Sequence, residues 1–154
     1  MEDNIKHLYY MDLALEQAKI ALDNREVPIG AVVVDVNGEI LGFGSNKTEE
    51  NICQVSHAEV IAISGACKKK GDWRLEGCCI YVTLEPCLMC FGLIGLSRMK
   101  GVFYGAKSPL FGVGLDNEIT FPVYKKDLFI RGGLRAEESV CLLQEFFKGR
   151  RKKG

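Results

Sequence analysis

Residues 80–90 read Ile-Tyr-Val-Thr-Leu-Glu-Pro-Cys-Leu-Met-Cys, and this stretch decides the fold. Its first half is apolar and rich in β-branched and aromatic residues, which is typical of a buried strand. Its second half opens an apolar helical segment, so that Cys87 and Cys90 share one face at a helix start. The helix dipole lowers the pKa of a thiol at this position, and we expect both thiols to ionise near neutral pH.

A Cys-x-x-Cys pair on its own is compatible with three kinds of site. The two thiols can be half of a structural zinc site, a redox pair, or apolar side chains of the core. Residues elsewhere in the chain have to distinguish these alternatives.

The composition is that of an ordinary globular protein, with 47% hydrophobic and 26% charged residues and zero net charge. It predicts one domain over residues 1–154 with a single core. An odd number of cysteines, seven, argues against a disulfide framework. No apolar run is long enough for a membrane span and no signal-peptide core is present, so we expect a cytoplasmic protein without a membrane partner. The tail at 148–154 is strongly basic, which fits either a solvated end or phosphate contacts.

Hydrophobic periodicity predicts the element order α-β-β-α-β-α-β-β-α. The predicted elements are a helix over 8–22, a hairpin over 31–44 that turns at Asn37-Gly38, a helix over 56–70, a strand over 80–84, a helix from 87, strands over 101–104 and 128–130, and a helix from 136 to 147. Residues 106–123 are rich in Gly and Pro and are expected to be mostly loop. Strand–helix–strand units after an initial hairpin imply the α/β class, as a three-layer α/β/α sandwich on a five-stranded mixed sheet.

His57 and the cysteine pair form the cluster with metal-ligand chemistry. Each begins a predicted helix, and in such a sheet neighbouring helix N-termini meet at one edge. One imidazole and two thiolates give zinc three protein ligands and leave the fourth position open to water, as in catalytic sites. Glu59 is the candidate base that takes a proton from this water and leaves hydroxide as the nucleophile.

Each of these residues also has another interpretation. Ser56-x-x-Glu59 is a possible capping box, in which Glu59 would satisfy the first amide of the helix. A structural zinc site needs a fourth ligand, for which Cys53 is the best candidate because in a helix it would lie one turn from His57, although the segment before Ser56 reads as a loop. A redox pair explains neither His57 nor Glu59. The cysteines that lie in apolar stretches, and are expected to be core or near-core thiols, are Cys67, Cys78, Cys79 and Cys141.

The combination His-x-Glu with Pro-Cys-x-x-Cys is the signature of zinc nucleobase deaminases. Over nearly its whole length the chain resembles the cytidine deaminase-like superfamily, and it is most similar to the bacterial tRNA adenosine deaminases. The segments that carry the resemblance are 25–32, Asn46, 57–59, 81–90, 97–98 and 146–151. Segment 25–32 and the double-Phe basic ending favour the tRNA group over deaminases of cytidine, guanine or deoxycytidylate.

The resemblance implies a cytidine deaminase-like fold, one Zn²⁺ per subunit, a homodimer, and hydrolytic deamination of the wobble adenosine to inosine in a tRNA anticodon stem-loop. It implies that His57, Cys87 and Cys90 hold the zinc. It implies that Glu59 moves protons from the bound water to adenine N1 and to the leaving ammonia.

The resemblance also implies the substrate contacts. The residues expected at the purine are Ile29 on the base face, Asn46 at the base edge and Ala58 through its backbone amide. The residues expected at the anticodon loop are Phe146, Phe147, Arg150 and Arg151, since aromatic and basic side chains suit a splayed single strand.

Three residues depart from the family pattern. Ser108 replaces an Asp expected near the substrate ribose, Phe91 interrupts a run of small residues, and Leu96 replaces a His. These changes bear on sugar contacts, on the pocket wall and on the dimer interface, and leave the zinc and proton chemistry intact. Two alternative functions are a deaminase of a free nucleobase or nucleoside such as guanine or cytosine, and a zinc-stabilised interaction module. The basic ending favours RNA, and Glu59 disfavours the module.

Overall fold

The structure, a computed structural model, describes residues 2–112 and 128–151. Its elements are α1 (Glu2–Asp23), β1 (Gly30–Val34), β2 (Ile40–Ser45), α2 (Ala58–Lys70), β3 (Cys79–Leu84), α3 (Leu88–Leu96), β4 (Gly101–Ala106), β5 (Phe129–Arg131) and α4 (Ala136–Arg151). The predicted order of elements is confirmed. The predicted loop at 113–123 and the last part of the basic tail, 152–154, lie outside the described residues.

The strands form a five-stranded sheet in the order β2-β1-β3-β4-β5. β1 is antiparallel to both β2 and β3, whereas β4 is parallel to both β3 and β5. The predicted hairpin between β1 and β2 is present. The Asp35 carboxylate accepts hydrogen bonds from the amides of Asn37 and Glu39, both at 2.9 Å, and Gly38 takes the left-handed conformation with φ 84°. The mixed sheet is therefore confirmed.

Helices cover both faces of this sheet. The core on one face joins α2 and α3 to alternate strand residues such as Val33, and the core on the other face joins α1 to residues such as Val32. β1 is buried along its whole length, which explains its continuous β-branched run. The predicted three-layer α/β/α sandwich is confirmed. Among the described residues, no helix is long and apolar enough to cross a membrane.

Two glycines let α2 lie directly against β2. A Cβ atom at Gly44 would be 2.0 Å from the Ala58 carbonyl oxygen, and one at Gly42 would be 2.2 Å from the Ala62 carbonyl oxygen. No side chain fits between these backbones, so the first turn of α2 is held at the surface of the sheet. His57 directly precedes this turn, and its position is fixed by the contact.

Candidate active site

Three metal-ligating atoms converge where α2 and α3 begin. The Nδ1 atom of His57 lies 3.5 Å from the Sγ atom of Cys87 and 3.4 Å from the Sγ atom of Cys90. All three atoms are within 4.8 Å of one another. Tetrahedral zinc, with Zn–N of about 2.0 Å and Zn–S of about 2.3 Å, separates nitrogen and sulfur ligands by about 3.5 Å. Both the donor types and their spacing therefore fit a zinc ion.

The ligands are presented by two helix N-termini. His57 is the N-cap residue of α2 and Cys87 is the N-cap residue of α3, and neither side chain caps its own helix. Cys90 follows in the first turn of α3. The sequence prediction that these two helix starts meet at one edge is correct. Pro86 lies just before the N-cap of α3, so it precedes the first helical position that proline commonly occupies.

The capping-box interpretation is wrong. Ser56 lies one residue before the N-cap of α2, and its hydroxyl oxygen accepts a hydrogen bond of 3.0 Å from the Asn51 side chain. The Glu59 carboxyl accepts a hydrogen bond from its own backbone amide, and the reciprocal contact with Ser56 that defines a capping box is not formed.

The other cysteines do not complete a four-ligand site. Cys53 is exposed and lies outside the cluster of His57, Cys87 and Cys90, so the structural-zinc interpretation loses its fourth ligand. Of the predicted core thiols, Cys78 is buried and Cys67 and Cys79 are half-buried. Cys141 is exposed on α4, and its assignment to the core is wrong.

The two thiols of the cluster differ in acidity. Hydrogen bonds from Cys90 and from His57 lower the pKa of Cys87 to about 4, against the effect of its burial. The hydrogen bond to Cys87, together with burial, raises the pKa of Cys90, and the hydrogen bond to Cys87 also raises the pKa of His57. The sequence led us to expect that the helix dipole would lower the pKa of both thiols. In the structure the pKa is lowered for Cys87 only and is raised for Cys90. Binding of a metal ion among the three ligands would favour loss of the second proton, because a thiol binds a metal as the thiolate.

Glu59 is a buried carboxyl group beside this cluster. Burial raises its pKa, although hydrogen bonds to its own amide and to Cys90 and the nearby charge of His57 act in the opposite direction. A carboxyl group whose pKa is raised above its ordinary value accepts a proton more readily than an exposed one, which suits a group that takes up and returns protons. The arrangement is thus suited to proton transfer next to a metal ligand.

A cavity of about 550 Å³ opens onto the cluster. Its lining includes the metal ligands His57 and Cys87 and the carboxyl of Glu59. It also includes four of the predicted substrate contacts, namely Ile29, Asn46, Ala58 and Phe147. Segments that are far apart in sequence are therefore brought together around one space.

Two other predicted contacts, Phe146 and Arg150, do not line the cavity. Phe146 is buried and packs edge-on against Phe147. The exposed guanidinium of Arg150 lies 5.2 Å from the centroid of the Phe146 ring. Arg151 is the last described residue of α4, and its side chain lies outside the described part of the chain.

The side-chain amide of Asn46 is held in a defined orientation. Its Nδ2 atom donates to the Val27 carbonyl oxygen at 3.2 Å, and its Oδ1 atom accepts from the Thr48 amide at 3.3 Å. An asparagine amide has two N–H donors and a carbonyl with two lone pairs. One donor and one acceptor position thus remain beyond these two contacts, which is the pattern that recognises a purine edge.

Two buried glutamates that position the cavity walls were not singled out from the sequence. Glu26 is 1% exposed, and its two carboxylate oxygens accept hydrogen bonds of 2.9 Å and 2.8 Å from the amides of Glu49 and Glu50. This contact holds the loop between Asn46 and His57. The Oε1 atom of Glu85 accepts a hydrogen bond of 3.1 Å from the amide of Ser108. The only sequence signal for either residue is a charged side chain in an otherwise apolar segment.

Comparisons with known proteins agree with this geometry. Residues 4–106 match the family described as "Cytidine and deoxycytidylate deaminase zinc-binding region". A tRNA-specific adenosine deaminase of Bacillus subtilis (strain 168) is 42% identical over 146 residues, which cover 94% of this chain and 90% of that protein. One from Rickettsia felis is 43% identical over 143 residues, which cover 90% of this chain and 98% of that protein.

Solved structures show the same similarity. A structure from studies of A-to-I editing by tRNA:A34 deaminases at the wobble position has a TM-score of 0.81 and 36% identity, over 88% of this chain and 99% of that one. A guanine deaminase of Bacillus subtilis has a TM-score of 0.63 and 32% identity, over 76% of this chain and 83% of that one.

Proposed function

The chain belongs to the cytidine and deoxycytidylate deaminase family, among the tRNA-specific adenosine deaminases, and we propose that it hydrolyses the wobble adenosine of a tRNA anticodon loop to inosine. The observation that carries the proposal is the zinc-like spacing of His57, Cys87 and Cys90 beside a buried Glu59. In this reaction a water oxygen bonds to C6 of adenine, the bond between C6 and the amino nitrogen breaks, and ammonia leaves.

His57, Cys87 and Cys90 would hold one zinc ion per subunit, and when bound this ion supplies a Lewis acid that lets water lose a proton near neutral pH. Glu59 takes that proton and delivers it to N1 of the purine as the water oxygen bonds to C6. It then carries the second proton of the water to the amino group, which leaves as ammonia. The raised pKa of Glu59 suits both transfers.

The cavity wall supplies the proposed purine contacts. Asn46 forms hydrogen bonds with the purine edge. It uses the second N–H of its amide and the second lone pair of its Oδ1 atom, since Val27 and Thr48 occupy the first of each. Ile29 packs against one face of the base, and the backbone amide of Ala58 bonds a ring atom. These roles are supported by the lining of the cavity, where all three residues lie around the same space as Glu59.

The end of α4 supplies the proposed contacts with the anticodon loop. Phe147 lines the cavity and is half exposed, Phe146 packs edge-on against it, and Arg150 lies over the Phe146 ring. Together with Arg151 they combine aromatic rings with positive charge, which is the combination that binds single-stranded RNA. A tRNA substrate further supports a cytoplasmic place of action.

We also propose that the enzyme works as a homodimer through the apolar surface between α2 and α3. A groove of about 620 Å³ there is lined by apolar side chains, among them Leu93 and the exposed Trp73 and Leu96. Two cations, Lys68 and Arg98, also line it, and the Arg98 guanidinium lies 4.9 Å from the centroid of the Trp73 ring. Monomeric proteins rarely leave a large contiguous apolar surface exposed. Leu96, which replaces the expected His, enlarges the apolar character of this surface, and a second copy of the chain is its proposed partner.

One experiment separates the proposed substrate from its alternatives. The purified enzyme is incubated with an anticodon stem-loop that carries adenosine at the wobble position, and in parallel with adenosine, cytidine, cytosine and guanine. Nucleoside mass spectrometry measures inosine in the RNA, and ammonia release measures turnover of the small molecules. We expect inosine at the wobble position only. Ammonia release from guanine or cytosine without inosine in the RNA would contradict the proposal and favour a free-base deaminase.

A further inference from the structure

Two large apolar side chains stand exposed at the mouth of the cavity. Leu110 is 85% exposed and Phe111 is 74% exposed, and both line the same cavity as His57 and Glu59. Within the part of the chain that the structure describes, neither belongs to the hydrophobic core on either face of the sheet. With respect to residues 2–112 and 128–151, both side chains are thus available at the rim of the candidate active site for contact with a ligand.

The turn that presents these side chains is anchored to the active site. The amide of Gly112 donates to the Ser108 carbonyl oxygen at 3.0 Å, and the amide of Phe111 donates to the Ser108 hydroxyl at 3.4 Å. The amide of Ser108 is bonded to the Glu85 carboxylate, and Gly112 forms a β-bridge with Cys87. A Cβ atom at Gly112 would be 2.2 Å from Oε1 of Glu85. The turn is thus closely fitted, and Phe111 directly precedes a residue paired with a proposed zinc ligand.

The surroundings of these side chains indicate what contacts them. Phe147, which is half exposed, lines the same cavity, and so does Lys107. Arg150 lies over the Phe146 ring at the adjoining end of α4. Aromatic rings interleaved with positive charges bind single-stranded nucleic acid, because bases stack on the rings and phosphates pair with the cations.

We propose that Leu110 and Phe111 form a stacking subsite for a base directly next to the reacting adenosine. The inference rests on the proposed function. A purine inserted into the cavity brings its two strand neighbours to the rim, where an exposed ring on a fixed turn is available to one of them. The subsite selects for an unpaired strand over a free nucleoside, since a nucleoside has no neighbour to stack.

The test compares Phe111→Ala and Phe111→Tyr with wild type on three substrates. These are the anticodon stem-loop and two copies of it with an abasic nucleotide either 5′ or 3′ of the reacting adenosine. Phe129→Ala is the matched control, because Phe129 is about half exposed on β5 and does not line the cavity. Zinc content and circular dichroism show that each variant is folded.

We expect Phe111→Ala to lower kcat/KM on the intact stem-loop by about 10-fold, the size of a lost base–aromatic stack. On one of the abasic substrates, wild type should fall to a similar value and Phe111→Ala should have no further effect. Phe111→Tyr and Phe129→Ala should resemble wild type. An equal loss for Phe111→Ala on all three substrates, or no loss on the intact one, would overturn the subsite while leaving the deaminase proposal standing. Wild type that neither binds nor deaminates any stem-loop would overturn both.

Discussion

Glu59 is the residue on which the proposed chemistry depends most directly. It is buried beside the sulfur and nitrogen ligands, and burial raises its pKa. We expect Glu59→Gln to keep one zinc per chain, because the ligands are untouched, and to lower kcat by 10²- to 10⁴-fold, because glutamine cannot carry a proton. Single-turnover deamination and metal analysis by atomic emission measure the two effects.

Glu49→Gln is the control for this substitution, since the Glu49 side chain is exposed in the neighbouring loop. It should leave both zinc content and turnover unchanged. Full activity of Glu59→Gln would remove Glu59 from the proton transfer.

Site residues could be predicted from the sequence where they belong to a short motif with fixed spacing. His57 and Cys87 could be found from sequence because their motifs place each at a helix start, and the sheet brings helix starts together. The role of Glu26 could not be predicted, because its partners are backbone amides 23 and 24 residues away. Every residue except proline has such an amide, so the sequence does not show which one is bonded. The capping box failed for the same reason, since the competing partner of Ser56 is visible only in the folded loop.

At the scale of elements, the contact between α2 and β2 couples stability to the active site. We expect Gly44→Ala to destabilise the fold by about 1–3 kcal/mol, because its Cβ atom would displace the Ala58 carbonyl. The same displacement should weaken zinc binding, since Ala58 adjoins His57. Urea unfolding and zinc competition with a chelator measure the two effects.

Gly65→Ala provides the matched control within α2. A Cβ atom there would meet only the Cα atom of Gly42, at 3.9 Å. Because alanine favours a helix over glycine, this variant should gain about 0.5–1 kcal/mol and bind zinc as wild type does. Equal unfolding curves for Gly44→Ala and wild type would contradict the close packing.

α1 contributes a pH-dependent contact with the sheet. The His7 Nδ1 atom lies 2.6 Å from the Tyr81 hydroxyl, and its ring stacks on Phe103 at 4.3 Å. Burial lowers the pKa of His7, and the charge of Arg131 lowers it further. The unfolded chain therefore binds this proton more readily than the folded one, so that stability falls as the pH drops through about 6.5 towards the folded pKa.

His7→Gln should remove this dependence and keep a polar group near Tyr81. The free energy of unfolding, measured by urea titration at pH 7.5 and pH 5.5, should fall more for wild type than for His7→Gln. Asp3 raises the pKa of His7 and Lys6 lowers it, so both are left unchanged in the comparison. If the free energy of unfolding changed equally with pH for wild type and His7→Gln, the pKa of His7 would be the same in the folded and unfolded chains.

Hydrophobic patterns located the elements, because an amphipathic helix buries one regular face and a central strand such as β1 is a continuous apolar run. The start of α1, residues 2–7, was missed, since its residues are mostly polar and carry no such period. It is tied instead to β5, where the Arg131 guanidinium donates to the Asn4 side chain at 2.9 Å. A tertiary contact across 127 positions of the sequence cannot be inferred from local pattern.

At the scale of the whole molecule, the proposed dimer can be tested on its apolar surface. Leu96→Glu places a charge in the groove between α2 and α3 and should convert a dimer to a monomer, raising the dissociation constant by at least about 10-fold. Sedimentation velocity across a concentration series measures this constant. Ile5→Glu is the control, because Ile5 on α1 is 66% exposed, as Leu96 is.

A dimer that survives Leu96→Glu unchanged would exclude this surface. The surface could not be derived from sequence because its parts, including Trp73 and Leu96, come from separate segments and form a groove only after folding. The reaction type was easier to predict, since the motifs that carry it are short and local.

The spacing of the zinc ligands also has a consequence for chain entropy. His57 and Cys87 are 30 positions apart, and a metal ion bound to both closes a ring that contains all of α2 and the central strand β3. In a disulfide, a loop of this length restricts the unfolded chain by on the order of 3–4 kcal/mol at 25 °C. A bound ion would thus act as a reversible cross-link across the middle of the sheet, and a chelator would lower the melting temperature together with the activity.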